Sequence, residues 1–156
     1  MKQYCGIFIC MIILLGSGCA GISANKTRRV AVPFTMTKND DLLIKAKIND
    51  KDVCFIVDTA AGTSTIHKKD IEYLGLKLGK SSNELRGLGT SSYTMHEVNV
   101  PVMSLGGMKF LKPSFIAVEL HNIGVNNGLL GSLFLRKHDA IIDFKKNIIF
   151  LKPPTR

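Results

Sequence analysis

Tryptophan is absent from the chain, and only three tyrosines and eight phenylalanines are present. No low-complexity tract and no internal repeat is visible in it, so the sequence gives no sign of a repeat architecture. Cysteine is scarce: Cys5 and Cys10 lie in an apolar N-terminal stretch, and only Cys19 and Cys54 follow. That is no disulfide framework, and Cys54, inside an apolar run, reads as a small buried hydrophobe. The histidines His67, His96, His121 and His138 are widely spread, and His96-Glu97 lacks the second histidine of a zinc-protease helix, so no metal site is expected. Ser64 and His67 are not accompanied by a Gly-x-Ser-x-Gly elbow, which argues against a serine hydrolase. Gly87-x-Gly89 is too short for a dinucleotide fingerprint, and no cofactor is expected.

Acidic residues are also few, 12 Asp+Glu against 21 Lys+Arg, for a net charge of +9. Such an excess favours anionic partners. The bases are nevertheless scattered in short clusters such as Lys26/Arg28/Arg29 and Lys145/Lys146, without interleaved aromatics, so nucleic acid is not an expected partner. At 156 residues with 46% hydrophobic residues, one domain with its own core is the natural reading.

Residues 1–24 stand apart. Lys2 is the only charge before Lys26, an apolar stretch runs from Cys5 to Leu15, and Gly16-Ser17-Gly18-Cys19-Ala20-Gly21 supplies small residues. This is the layout of a secretory signal. Three outcomes are open. Ser17-Gly18-Cys19 resembles the end of a bacterial lipobox, with Cys19 as the lipidation candidate. Ordinary cleavage after Ala20 or Ala24 is the second, and an uncleaved anchor using the uncharged run Gln3–Asn25 is the third. Lipidated Cys19 is preferred. All three export residues 25–156, as a periplasmic domain or a lipoprotein facing away from the cytoplasm, and two leave it attached to a membrane.

The rest of the chain alternates with period two, the mark of half-buried strands. Leu42, Ile44, Ala46 and Ile48 alternate with their neighbours, Asn49–Asp52 reads as a hairpin turn, and Val53–Val57 reads as a strand buried on both faces. His67–Leu74 is a helix candidate stopped by Gly75. Val98–Leu105 and Met108–Leu120 are strand-like around the turn Gly106-Gly107, with Pro101 and Pro113 marking edges or bulges. Ser132–Lys137 reads as a short helix, and Ala140–Phe144 with Ile148–Leu151 as a final hairpin. Many short strands at close spacing give an all-β expectation, a closed barrel with one or two short helices.

Asp58 is the residue this pattern singles out. It ends five apolar residues and opens the small segment Thr59-Ala60-Ala61-Gly62. Capping a turn is its plainer reading. Asp143 also follows an apolar run and reads as the start of the last turn.

Val57-Asp58-Thr59-Ala60-Ala61-Gly62-Thr63-Ser64 resembles the catalytic loop of the retropepsin-like aspartic proteases, bacterial members included. Leu129-Leu130-Gly131, followed by Ser132–Leu135, is similar to that family's segment that crosses behind the loop, and the chain's last hairpin is also similar. The resemblance covers about Val30 to Leu151. It implies Asp58 as the catalytic acid/base, Thr59 as a lock between paired loops, and Ala60 and Ala61 as the loop floor. It also implies Leu129, Leu130 and Gly131 as loop support, and Gly87-Leu88-Gly89, with the hairpin after it, as a flap over a peptide or protein substrate. The family's usual Gly after Asp-Thr is Ala60 here, which bears on activity more than on fold. One loop per chain requires a symmetric homodimer for a pair of aspartates. The alternative is a non-catalytic exported lipoprotein of the same fold that binds peptide or a protein partner.

Overall fold

The computed structural model of the chain describes residues 28–86, 92–120 and 127–154. The alternating run expected around Ile44 forms β2 (Leu42–Ile48), which turns through Asn49 and Asp50, both at positive φ (49° and 62°), into antiparallel β3 (Lys51–Asp58). Two left-handed residues in succession give the turn whose twist matches its strands. Preceding them, β1 (Val30–Met36) serves two neighbours, its first half pairing with the last strand of the chain and Phe34–Met36 pairing with β2.

After Asp58 the chain crosses Thr59–Thr63 into β4 (Ser64–His67). The helix expected over His67–Leu74 is not formed. His67 completes β4, in parallel register with Val118, and a single 3-10 turn Lys68–Asp70 follows before Gly75, at φ 66°. The buried pair Ile71 and Leu74 gave helical spacing, but one turn is enough to bury both.

A long hairpin comes next, β5 (Leu78–Arg86) and β6 (Ser92–Asn99), then a tight hairpin, β7 (Val102–Leu105) and β8 (Met108–Leu111), and then β9 (Ser114–Val118). Pro101 and Pro113 fall between strands, as their missing N–H groups favour. Gly106 and Gly107 turn β7 into β8 at φ 59° and 79°, and a Cβ on Gly106 would stand 2.7 Å from Val32, so β1 packs against a turn only glycine can make.

The last elements are β10 (Gly128–Gly131), helix α1 (Ser132–Lys137), β11 (Ile141–Asp143) and β12 (Ile148–Leu151). The sheet order is β11-β12-β1-β2-β3-β10-β4-β9-β6-β5, with β7 also pairing β2. The all-β class and the single short helix match expectation, but the closed barrel does not: among the described residues the path ends at β11 on one side and β5 on the other, and these do not pair. Local periodicity reports which face of a strand is buried and carries no information on whether the first and last strands meet. The core gathers Phe55, Ile44, Ile66, Leu130 and Phe115 beneath these strands, with the Phe55 and Phe115 rings 5.4 Å apart. Expected to be buried on both faces, β3 buries Val53, Phe55 and Val57 fully but leaves Cys54, Ile56 and Asp58 half-buried, so Cys54 is a half-buried free thiol.

Candidate active site

Asp58 stands half-buried at the last position of β3. Its Oδ1 accepts hydrogen bonds from the backbone N–H of Ala60 at 2.9 Å and of Ala61 at 3.1 Å. The small residues of the loop allow the chain to curl back over the carboxylate, and the two donors fix its orientation.

What holds that loop in place is β10. It is inserted between β3 and β4, parallel to the first and antiparallel to the second, with Gly131 in register with Asp58. The loop Thr59–Thr63 therefore bridges over the end of β10. Ser132 N–H donates to Ala61 O at 2.7 Å, and Leu133 N–H donates to Gly62 O at 3.1 Å. A Cβ at Gly131 would lie 2.6 Å from the Thr63 carbonyl carbon and oxygen, so no side chain fits between loop and strand. Leu130, 1% exposed, anchors the same strand in the core.

Of the other residues singled out from the sequence, Thr59, Ala60 and Gly62 are exposed and Ala61 is half-buried. Gly87, Leu88 and Gly89 lie outside the described residues, as does Cys19. In sequence β5 precedes that glycine segment and β6 follows it, and the later hairpin around Gly106-Gly107 forms as β7 and β8. Asp143 ends β11 and its Oδ1 accepts from Lys146 N–H at 3.0 Å, a turn-starting role.

Sequence reasoning missed three residues that position the loop. Ser64, 1% exposed, accepts from Gly131 N–H through Oγ at 3.0 Å, and Thr65, 5% exposed, accepts from Leu129 N–H through Oγ1 at 3.2 Å. Asn127 joins three elements. Its Oδ1 accepts from Cys54 N–H at 2.8 Å, its Nδ2 donates to Asp70 at 3.0 Å, and its carbonyl accepts from His67 N–H at 2.7 Å. A Ser-Thr pair directly after a small-residue loop was the available signal for the first two.

A sequence profile of the family described as aspartyl protease matches residues 44–134, more than half of the chain. The chain belongs to the aspartyl protease family. Among solved structures, this aspartyl protease family member is similar to a retropepsin-like aspartic protease from Rickettsia conorii. The identity is 20% and the TM-score 0.55, over 81% of this chain and 91% of that one. It is also similar to a retroviral protease-like domain from Leishmania major, at 21% identity and TM-score 0.54, over 71% of this chain and 87% of that one. These likenesses establish a retropepsin-like fold. No curated protein sequence matches the chain.

Proposed function

We propose that the protein is an exported aspartic endopeptidase that works as a symmetric homodimer. The observation that carries this reading is the fixed Asp58 carboxylate, held by the Ala60 and Ala61 N–H groups at the end of a strand braced by Gly131. One such loop exists per chain, and an isologous dimer would bring two copies of Asp58 to a two-fold axis. Two carboxylates at such an axis would share one proton. The ionised one would take a proton from water as it attacks the amide carbonyl, and the protonated one would donate to the carbonyl oxygen. Thr59, exposed in the single chain, would bond to its counterpart across the axis. The hairpin of β5 and β6 would lie over an extended peptide that pairs its backbone in a strand-like groove. Peptide or protein is the substrate class, and export through residues 1–24, with Cys19 lipidated, completes the reading.

The test is cleavage of a peptide library by the purified full-length chain from acidic to neutral pH. Cleavage with an acidic optimum, lost in Asp58→Asn, is expected, because the pair must hold a single proton. Specific activity should fall on dilution as dimers dissociate. Cleavage that survives Asp58→Asn overturns the mechanism. Ala60 in place of the family's usual Gly favours the second reading, a peptide-binding member without catalysis. A chain that stays monomeric, binds peptide and never cleaves it would select that reading.

A further inference from the structure

A cleft of about 780 Å³ lies between β8, α1 and residues 152–154. Its floor is a packed trio of rings, with Phe110, Phe134 and His138 at centroid separations of 4.6 to 5.1 Å. Lys109, Lys137 and Lys152 line it, and among the described residues no carboxylate does. Asp139, next in sequence to the lining residue His138, is engaged by Lys152 at 3.4 Å. Beside these cations two leucines face outward, Leu111 at 72% exposure and Leu133 at 50%. Lysines around exposed leucines suit a layer with anionic heads and apolar tails: the ammonium groups meet phosphates while the leucines enter below them.

The path of the chain gives this face its partner. The Arg29 guanidinium donates to Asp139 O, so the polypeptide enters the fold on the cleft's side. Ahead of it lie residues 1–27, with the uncharged run Gln3–Asn25. An attachment at Cys19 leaves residues 20–27 as the tether, which reach at most about 28 Å when extended. A domain tethered that closely, with a net charge of +8 once Lys2 is removed (20 Lys+Arg against 12 Asp+Glu), sits within reach of the membrane surface. We infer that the face formed by Lys109, Leu111, Leu133, Lys137 and Lys152 docks on an anionic phospholipid surface, a contact made by the folded domain in addition to any N-terminal attachment.

The test uses the full-length chain reconstituted in nanodiscs of phosphatidylcholine alone or mixed equally with phosphatidylglycerol, read by amide hydrogen exchange. Exchange over residues 109–112 and 133–137 should slow roughly fivefold in the anionic discs, the effect of about one surface lysine's attraction. High salt should remove the gain. The gain should vanish in Lys109→Glu/Lys137→Glu and persist in Lys45→Glu/Lys68→Glu, whose lysines are exposed elsewhere. Equal exchange in both discs, a gain indifferent to salt, or a gain retained in Lys109→Glu/Lys137→Glu overturns the proposal. The salt arm, read on the unaltered chain, decides the matter should the charge-reversed variant fail to fold.

Discussion

The Ser64 hydroxyl, almost wholly buried, accepts the Gly131 N–H at 3.0 Å, tying the strand after the aspartate loop to the strand behind it. Replacing Ser64 with Ala would leave that N–H without its partner in a place water does not reach. An unsatisfied buried donor costs about 1–3 kcal/mol. Ser64→Ala should therefore lower the urea midpoint by the corresponding amount. It should also reduce peptide cleavage by more than the unfolded fraction explains, because Gly131 is in register with Asp58. Ser64→Thr, which keeps the hydroxyl, should retain more activity than Ser64→Ala. Equal loss in both would show that packing, not the hydrogen bond, positions the loop.

Gly131→Ala is expected to be the harsher change. The new methyl would stand 2.6 Å from the Thr63 backbone and 2.9 Å from Ala61 O, contacts no rotamer can relieve. Overpacking against backbone should cost about 3 kcal/mol or more. A thermal melt comparing Gly131→Ala with Gly62→Ala makes the control, since a Cβ at Gly62 meets nothing within 4 Å. Similar melting temperatures for the two variants would contradict the account of how β10 supports the loop.

Those two glycines also illustrate what the sequence could and could not tell. Leu129–Gly131 drew notice through the family resemblance, whereas Asp58 stood out because a small-residue loop after an apolar run is a local pattern. The bounds of α1, Ser132–Lys137, and the turns at Asn49-Asp50 and Gly106-Gly107 were legible for the same reason. The strand β5 was not: Leu78–Arg86 has only two apolar residues, and it is a strand because β6 pairs with it while β6 is held by β9 through Val98 and Phe115. His67 was read into a helix because nothing in its neighbours reveals that Val118 and Asn127 will capture its backbone. Openness of the sheet is a property of its two end strands together, which no single segment encodes.

Asn127 is the long-range counterpart of Ser64. Its side chain accepts from Cys54 N–H and donates to Asp70, linking β3 to the turn after β4. Asn127→Ala should cost about 1–3 kcal/mol, chiefly from the unpaired Cys54 N–H. Because Cys54 is a half-buried free thiol on the same stretch of β3, the loosening should show as faster labelling by a thiol reagent. The assay is done in a background lacking Cys5, Cys10 and Cys19, so that Cys54 alone reports. Unchanged labelling with unchanged stability would show that the backbone bonds of Asn127 suffice.

His138 should make the fold sensitive to acid. It is 6% exposed, packed edge-on against Phe110 and tilted against Phe134, and burial holds its pKa below the ordinary 6.5. The hydrogen bond to Lys152 O opposes this, the Lys137 charge adds to it, and the charge of Asp139 pulls upward least. Between the folded and unfolded pKa values the unfolded chain binds more protons, so stability rises with pH across that window. The contribution is therefore complete above about pH 6.5 and is lost as pH falls through the lowered folded value. Urea midpoints measured from pH 8 down to pH 5 should fall in the unaltered chain and fall less steeply in His138→Phe, whose ring can take the imidazole's place beside the two phenylalanines. An endopeptidase with an acidic optimum would then work where this histidine begins to charge, and His138→Phe should lengthen its working life at low pH without moving the optimum. Identical slopes for the two proteins would mean that the imidazole is protonated in place and that the ring cluster tolerates the charge.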